Sequence, residues 1–370
     1  MNYDIMDKKI VFTPGYFPFF PNDDEIYIKT NHLSESVFHL KDKYKENWIK
    51  SFFEKLSGQY VIKDVVKVVP EKNKKIILKI LIVGVKKGYF MEAKTEANSP
   101  YWLTNNMYGK EKFLKNSITN TRIASIGLGV LGVQVAKGLL EFDFEQLKLI
   151  DYGIINQIHI DHCYEYADKE IGDNKINAYK EFHKKTINSK NVQLIEAMYD
   201  SGSDLSKYLS DCNMVIVATD EYNSYLYNII NQLANQYDFK WTLLLIDRWD
   251  LYIGPTFIPD QTGCYNCFEK LNRNLDDDHD YYAYNEHIIN SENRSLSIHF
   301  NPNQASIVSG LFLTDLPNLI GDMPRKIEPE NSLTIGKQLR IKTLNFDAEI
   351  IHLVKNPYCS CNANVLEKRS

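Results

Sequence analysis

The fold is decided by the stretch Ile123-Ala124-Ser125-Ile126-Gly127-Leu128-Gly129-Val130-Leu131-Gly132, in which a short apolar run leads into three glycines. The run predicts a buried strand, and the residues after the glycines predict a helix over Val133–Leu140. Gly127 permits a tight turn, Gly129 lets backbone approach a phosphate, and Gly132 lets the helix pack on the strand. The stretch therefore predicts a nucleotide-binding βαβ unit.

The residues that follow continue the alternation of strands and helices. Further strands are predicted at Leu147–Asp151, Val192–Ala197, Met214–Thr219 and Thr242–Ile246, and helices at Asn174–Ile187 and Tyr222–Gln236. This rhythm is typical of parallel strands joined by helical crossovers. Residues 96–370 are therefore predicted to form an α/β domain with a doubly wound, mostly parallel, Rossmann-type sheet.

Residues 1–95 have a different pattern and predict a separate small domain. A strand is predicted at Glu25–Lys29 and a helix at Glu46–Leu56. The apolar runs Val61–Val69 and Lys74–Val83 fit either a strand or a helix, and Tyr89–Glu92 is predicted to close a short hairpin. This order favours a winged-helix-like domain. An irregular cap on the main domain is the alternative.

Three charged residues sit where a nucleotide site needs them. Asp151 ends the second strand about 20 residues beyond the glycine loop, where a carboxylate holds ribose hydroxyls. Lys175 opens the next helix and could reach a triphosphate. Asp220 follows the fourth strand at the usual ligand crevice, where a carboxylate facing phosphates predicts a Mg²⁺ ligand. A dinucleotide dehydrogenase would not need these last two groups.

The six cysteines include two close pairs. Cys264-x-x-Cys267 and Cys359-x-Cys361 supply four thiolates, the complement of a closed structural zinc site. Such a site would fasten the C-terminal part of the domain to its core. Of the other two, Cys212 precedes a core strand and is predicted to be a packed thiol.

The segment His159–Cys163 offers a second cluster of possible ligands. In an extended conformation, its alternate residues His159, Asp161 and Cys163 would share one side and could bind a metal. Hydrogen-bonded histidines beside a nucleotide are the alternative. In that case, His162 is the residue expected to contact phosphate or substrate.

Composition narrows the class of protein. Net charge is −5, so no basic field indicates a nucleic-acid partner. The first residues lack a signal peptide, and Ile76–Val83 is too short and too charged to span a membrane. We therefore expect a cytoplasmic protein that binds neither nucleic acid nor membrane.

Taken together, the glycine loop, the three charged residues and the cysteine pairs resemble the E1-like adenylating family of ThiF, MoeB and the ubiquitin-activating enzymes, over about residues 100–365. Within it, Gly254–Cys267 is similar to the segment before the zinc knuckle in the branch that modifies ribosomally made peptides, such as the microcin C and pantocin A precursors. The N-terminal domain then resembles an element that grips a leader peptide by adding a strand to a sheet edge.

The resemblance implies a homodimeric enzyme of peptide antibiotic biosynthesis that uses ATP, Mg²⁺ and Zn²⁺ to adenylate a carboxylate of a precursor peptide. It implies that Lys175 and the glycine loop hold phosphates, Asp151 holds ribose, and Asp220 holds magnesium. Asp220, Lys175 and His162 are the expected catalytic residues. Cys264, Cys267, Cys359 and Cys361 are the expected zinc ligands.

The sequence departs from the family at two arginines. His162 stands where an Asn-x-x-Arg pattern places one, and no arginine occurs around Ser99–Trp102. Either His162, Lys110 or Arg248 substitutes, or the chain is a non-catalytic peptide-binding partner of a cyclodehydratase. An activating enzyme for a ubiquitin-like sulfur carrier is a third hypothesis, with Cys163 as the thiol to test.

Overall fold

The computed structural model describes residues 5–13, 15–30, 36–93, 117–199, 202–275, 296–297, 301–320, 332–359 and 361. The chain divides into two compact units, Met1–Lys115 and Asn116–Ser370. Each unit buries a hydrophobic cluster of its own. Within the described ranges, no helix combines the length and apolar character that a membrane crossing requires.

The first unit contains two antiparallel three-stranded sheets, ordered β5-β1-β6 and β2-β3-β4. Its strands are β1 (Lys9–Phe12), β2 (Phe17–Asn22), β3 (Glu25–Lys29), β4 (Ser36–Lys41), β5 (Ser57–Val61) and β6 (Phe90–Glu92). Its helices are α1 (Ile49–Glu54), α2 (Ile62–Val65) and α3 (Glu71–Lys86). Phe52, Phe53 and Phe90 lie at the centre of its core.

The predicted strand at Glu25–Lys29 and the predicted helix before Gly58 are confirmed as β3 and α1. Both ambiguous apolar runs are helical. In α3, Ile77, Leu81 and Gly84 face the core with the spacing of one helix face, which explains why this run is not a strand. The segment at Tyr89 closes against β1, as β6, instead of forming a local hairpin.

The second unit is built on an eight-stranded sheet, ordered β16-β15-β13-β12-β10-β7-β8-β9. Its strands are β7 (Arg122–Ile126), β8 (Gln146–Asp151), β9 (Val192–Glu196), β10 (Met214–Val217), β12 (Lys240–Asp247), β13 (Asp250–Phe257), β15 (Lys337–Lys342) and β16 (Asp347–His352), while β11 (Glu221–Tyr222) and β14 (Leu296–Ser297) form a separate pair. The helices are α4 (Val130–Leu139), α5 (Gln157–His162), α6 (Lys175–Phe182), α7 (Lys184–Asn188), α8 (Gly202–Leu209), α9 (Ser224–Tyr237), α10 (Tyr265–Leu275) and α11 (Pro302–Ile320).

The parallel half of this sheet explains where a ligand can bind. Strands β9, β8, β7, β10 and β12 are parallel and follow the spatial order third, second, first, fourth and fifth in the chain. The order reverses between β7 and β10, and the crevice beyond such a reversal is the usual ligand site. The predicted doubly wound, mostly parallel sheet is confirmed, with β13, β15 and β16 added as antiparallel strands.

Two of the differences from the predicted helix bounds concern the site. The predicted helix Asn174–Ile187 is broken at His183 into α6 and α7. Helix α4 begins at Val130, three residues earlier than predicted, because a distant carboxylate caps its first turn. That carboxylate belongs to Asp220.

Candidate nucleotide-binding site

A cavity of about 380 Å³ opens at the carboxyl ends of β7, β8 and β10. Six of the residues predicted from the sequence line it: Gly127, Gly129, Asp151, His162, Lys175 and Asp220. They come from five separate segments, so the fold brings them together. Gly132, the remaining predicted residue, lies behind the cavity wall.

The glycine loop is packed against the protein's own atoms. Gly127 has φ of 110°, and a Cβ there would lie 2.3 Å from the Ala218 carbonyl oxygen. A Cβ on Gly132 would lie 2.1 Å from the Gly127 oxygen. At Gly129, predicted to admit a phosphate, a Cβ would instead lie 2.1 Å from Asp220 Oδ2. Each glycine is therefore required by internal packing.

Asp151 is buried at the end of β8 and binds two backbone groups. Its Oδ2 accepts the N–H of Leu128 at 2.6 Å, and its Oδ1 accepts the N–H of Gly153 at 2.5 Å. A carboxylate offers about four lone-pair sites, so two remain for other donors. Asp151 can thus hold ribose hydroxyls while it positions the loop.

Asp220 lies just beyond β10 and caps α4. Its Oδ2 accepts the N–H of Val130 at 2.6 Å, and its Oδ1 accepts the N–H of Leu131 at 2.9 Å. Burial raises the pKa of Asp220, against the opposing effects of these two bonds and of the charge on Lys175. The positive end of the helix dipole favours the ionised carboxylate. Its free lone pairs fit the oxygen-rich shell of Mg²⁺.

Lys175 begins α6, whose N-cap residue Asn174 accepts the N–H of Ile176 at 2.8 Å. A Cβ on Gly153 would lie 3.0 Å from the Lys175 ammonium nitrogen and 3.1 Å from Asp151 Oδ1. The absence of a side chain at Gly153 thus leaves room for the ammonium beside that carboxylate. This places one positive charge among the carboxylates of the cavity.

The two histidines of α5 have different surroundings. His159 is buried, and its Nδ1 accepts the N–H of Asn156 at 3.0 Å in a capping box. Burial and the charge of Lys175 lower the pKa of His159 to about 4, so it is neutral at physiological pH. His162 is exposed and lines the cavity, one helical turn away.

The idea of a metal site on an extended segment around His159 is wrong, because Gln157–His162 is helical. Alternate residues of a helix do not share a face. In the described parts of the chain, the cysteines discussed next form the one group of three or more potential ligands that converge.

Two cysteine pairs meet between α10 and the segment after β16. The ligand atoms of the four residues lie within 4.8 Å of one another: Cys264, Cys267, Cys359 and Cys361. Neighbouring Sγ atoms are 3.5, 3.6 and 3.9 Å apart. A zinc ion with Zn–S bonds of about 2.3 Å needs tetrahedral edges of about 3.8 Å, so this donor set fits zinc.

The surroundings of these thiols also suit a metal. The N–H of Asn356 points at Cys267 Sγ at 3.4 Å, a backbone contact that supports a bound thiolate. Burial opposes ionisation of Cys359, but hydrogen bonds from the neighbouring cysteines hold the pKa of its thiol at about 7. Burial raises the pKa of the Cys264 and Cys361 thiols, so binding of zinc would displace protons from them.

Other residues considered from the sequence have different positions. Cys163 is buried, and burial raises the pKa of its thiol, which argues against a nucleophile there. Burial likewise raises the pKa of Cys212 to about 12, as expected of a packed thiol. Arg248 does not line the cavity, and Lys110 and Ser99–Trp102 lie outside the described residues.

Sequence reasoning missed a supporting tyrosine. The buried Tyr166 donates its hydroxyl to the Leu128 carbonyl at 2.7 Å and so holds the middle of the glycine loop. Tyr152 and Tyr199 line the cavity and contact each other edge to face, with ring centroids 4.7 Å apart. No motif marks these residues, because their partners are distant in sequence.

Solved structures share this architecture. E. coli MccB with ATP is 16% identical with a TM-score of 0.66, and the alignment covers 95% of this chain and 99% of that one. The microcin C7 biosynthetic enzyme MccB in complex with N-formylated MccA is 16% identical with a TM-score of 0.69, and the alignment covers 95% of this chain and 99% of that one. PaaA is 16% identical with a TM-score of 0.64, and the alignment covers 92% of this chain and 99% of that one. At this identity the likeness shows the shared fold.

No curated protein sequence matches the chain. The sequence profile of the ThiF family matches residues 105–361 of the 370, a span that includes the glycine loop, the three charged residues of the cavity and all four clustered cysteines. By this match and by the sheet that carries the site, the chain belongs to the ThiF family.

Proposed function

We propose that this chain uses ATP and Mg²⁺ to adenylate a carboxylate of a ribosomally made precursor peptide. The observation that carries the proposal is the convergence of Asp151, Lys175 and Asp220 on one cavity at the switch point of the sheet. Family membership supports the same chemistry. The neighbours add support, since MccB was solved with ATP and with the peptide MccA.

Each residue has a role in this proposal. Asp151 accepts the ribose hydroxyls, and Lys175 neutralises phosphate charge. Asp220 is the ligand for magnesium, which when bound would offset the negative charge on the phosphates. His162 contacts phosphate where the family has an arginine. Gly127 and Gly129 line the wall against which the nucleotide lies, and Gly132 packs against Gly127 behind it.

In the reaction, an oxygen of the peptide carboxylate attacks the α-phosphorus of ATP. The bond from that phosphorus to the bridging oxygen breaks, and pyrophosphate leaves. A nearby nucleophile then captures the acyl group with release of AMP, giving a cyclic product, or the nucleotide stays attached. The protein contributes positioning and charge neutralisation, which are large terms in such transfers.

The peptide is assigned to the N-terminal part of the chain, residues 1–95. Strands β2, β4, β5 and β6 lie at sheet edges there, and an extended peptide can add to such an edge. Zinc at the four cysteines is assigned a structural role. We also propose a homodimer that acts in the cytoplasm, where ATP and newly made peptides are present.

The test is ATP–pyrophosphate exchange with and without the candidate precursor peptide. Wild type is expected to show peptide-dependent exchange, and Lys175→Ala is expected to lower it at least about 100-fold, because each strong charge interaction in a transition state is worth several kcal/mol. Lys184→Ala, in the exposed Lys184–Glu181 pair, is the matched control. A chain that binds the peptide without any exchange would instead be a peptide-delivery subunit.

A further inference from the structure

The backbone donors at the start of α4 are already used by the protein. The N–H of Leu128 is bonded to Asp151, and the N–H groups of Val130 and Leu131 are bonded to Asp220. In a dinucleotide-binding loop of this type, these donors face the pyrophosphate of the ligand. Here two carboxylates occupy the same positions.

The glycine loop makes room for the Asp220 carboxylate at the start of α4. The N-cap residue of α4 is Gly129, which has no side chain that could cap the helix. A Cβ on this glycine would lie 2.1 Å from Asp220 Oδ2, so the glycine is what admits the carboxylate. Asp220 thus supplies the cap from 90 residues further along the chain.

We propose that Asp220 determines which nucleotides this cavity accepts, by excluding ligands that place a pyrophosphate at the start of α4, as NAD and FAD do. A phosphate there would find its donors taken and would lie against a carboxylate of like charge. Phosphate groups are thereby left to other groups that line the cavity, among them Lys175 and His162. The inference rests on the proposed nucleotide site, but it does not require the adenylation reaction.

The experiment compares binding of NADH, by its fluorescence, and of AMP, by calorimetry, to the full chain. Asp220→Ala frees both N–H groups and removes the charge, so its affinity for NADH is expected to rise at least about tenfold over wild type. AMP has no pyrophosphate, so its affinity is expected to gain less than that of NADH, and the ratio of the two affinities is the readout. Retained AMP binding also shows that the variant cavity is folded.

Two further variants make the result specific. Glu221→Gln removes a neighbouring charge that lines the same cavity but does not cap α4, and it is expected to leave NADH affinity unchanged. Asp220→Asn removes the charge and keeps one acceptor oxygen, so it should show a smaller gain than Asp220→Ala. If Asp220→Ala does not fold, the NADH affinity of Asp220→Asn tests whether Asp220 excludes the dinucleotide.

Three results would overturn the inference: no gain in NADH affinity when AMP still binds, an equal gain in Glu221→Gln, or wild type that binds NADH as tightly as AMP. Failure of the proposed function has a separate signature. It would show as absent ATP–pyrophosphate exchange in wild type, and the NADH comparison would remain informative.

Discussion

The carboxylate of Asp151 accepts the backbone N–H of Leu128 at 2.6 Å, so the residue that ends β8 also holds the loop that follows β7. The bond joins the two neighbouring strand ends on which a bound nucleoside would rest. A change at Asp151 therefore affects the shape of the cavity as well as the ribose contact proposed for this residue.

Replacing Asp151 separates these two contributions. Asp151→Ala is expected to weaken ATP binding about 10- to 100-fold, because hydrogen bonds to a charged group contribute about 1.5–3 kcal/mol. Calorimetry should compare ATP with 2′,3′-dideoxy-ATP. Wild type should prefer ATP, and the variant should bind both alike. A preference that survives in the variant would remove Asp151 from the ribose site.

Restoring a guanidinium at the family's position should strengthen triphosphate binding. His162→Arg places a permanent charge at the cavity edge, and it is expected to raise the affinity for ATP relative to AMP by about tenfold. Gln157→Arg adds the same charge to α5 at a residue that does not line the cavity and is the control. An unchanged ratio of ATP to AMP affinity would show that His162 does not face the phosphates.

The four cysteines should carry about one zinc per chain. Cys264→Ser is expected to lose the metal and to lower the unfolding temperature by at least about 5 °C, because metal binding contributes directly to folding free energy. Cys212→Ser, at a buried thiol outside the cluster, should keep its zinc. Metal content and thermal unfolding, each with and without chelator, measure both effects. Full zinc content in Cys264→Ser would contradict this site.

Acid should weaken the first unit at Glu25. This carboxylate accepts hydrogen bonds from His39 at 2.9 Å and Lys41 at 3.1 Å, which hold the pKa of Glu25 at about 2. Because the folded pKa lies below the ordinary value of 4.5, the stabilisation is complete above about pH 4.5 and is lost as pH falls towards 2.

Hydrogen exchange of the β3 amides tests this. At pH 5 wild type should be better protected than Glu25→Gln, and the gap should narrow at pH 3. Asp7→Asn, at an exposed pair with Lys63, should differ little from wild type at either pH. If the difference in protection between wild type and Glu25→Gln is the same at both pH values, the effect comes from packing and not from the charge of Glu25.

Much of the parallel half of the sheet was predictable, because its strands are short and rich in buried apolar residues, as in Met214–Val217. The antiparallel half was not. Strand β16 is almost fully exposed and β15 is mostly half-buried, so neither contains the buried apolar run that marks the central strands. In the first unit, β2 contains two prolines, which argue against a strand but are tolerated at an edge.

The candidate site was predictable as a set of residues and not as an arrangement. Because Asp151 and Asp220 follow parallel strands, the sequence predicted that they lie at one edge of the sheet. Their spacing along the chain did not predict which groups they bind. The two bonds between Asp220 and the start of α4 join residues 90 and 89 positions apart, and no local pattern encodes such contacts. For the same reason, helix α4 starts before the predicted Val133.

The packing of the glycine loop has a consequence for the ancestry of such chains. Gly127, Gly129 and Gly132 are each required by contacts with the protein's own Ala218, Asp220 and loop backbone. Selection for folding alone would therefore preserve the motif in a descendant that had lost its substrate. Among relatives of this chain, the glycines trace shared descent, whereas a change at Lys175 bears on its proposed phosphate-binding role, because its ammonium lies in the cavity beside Asp151.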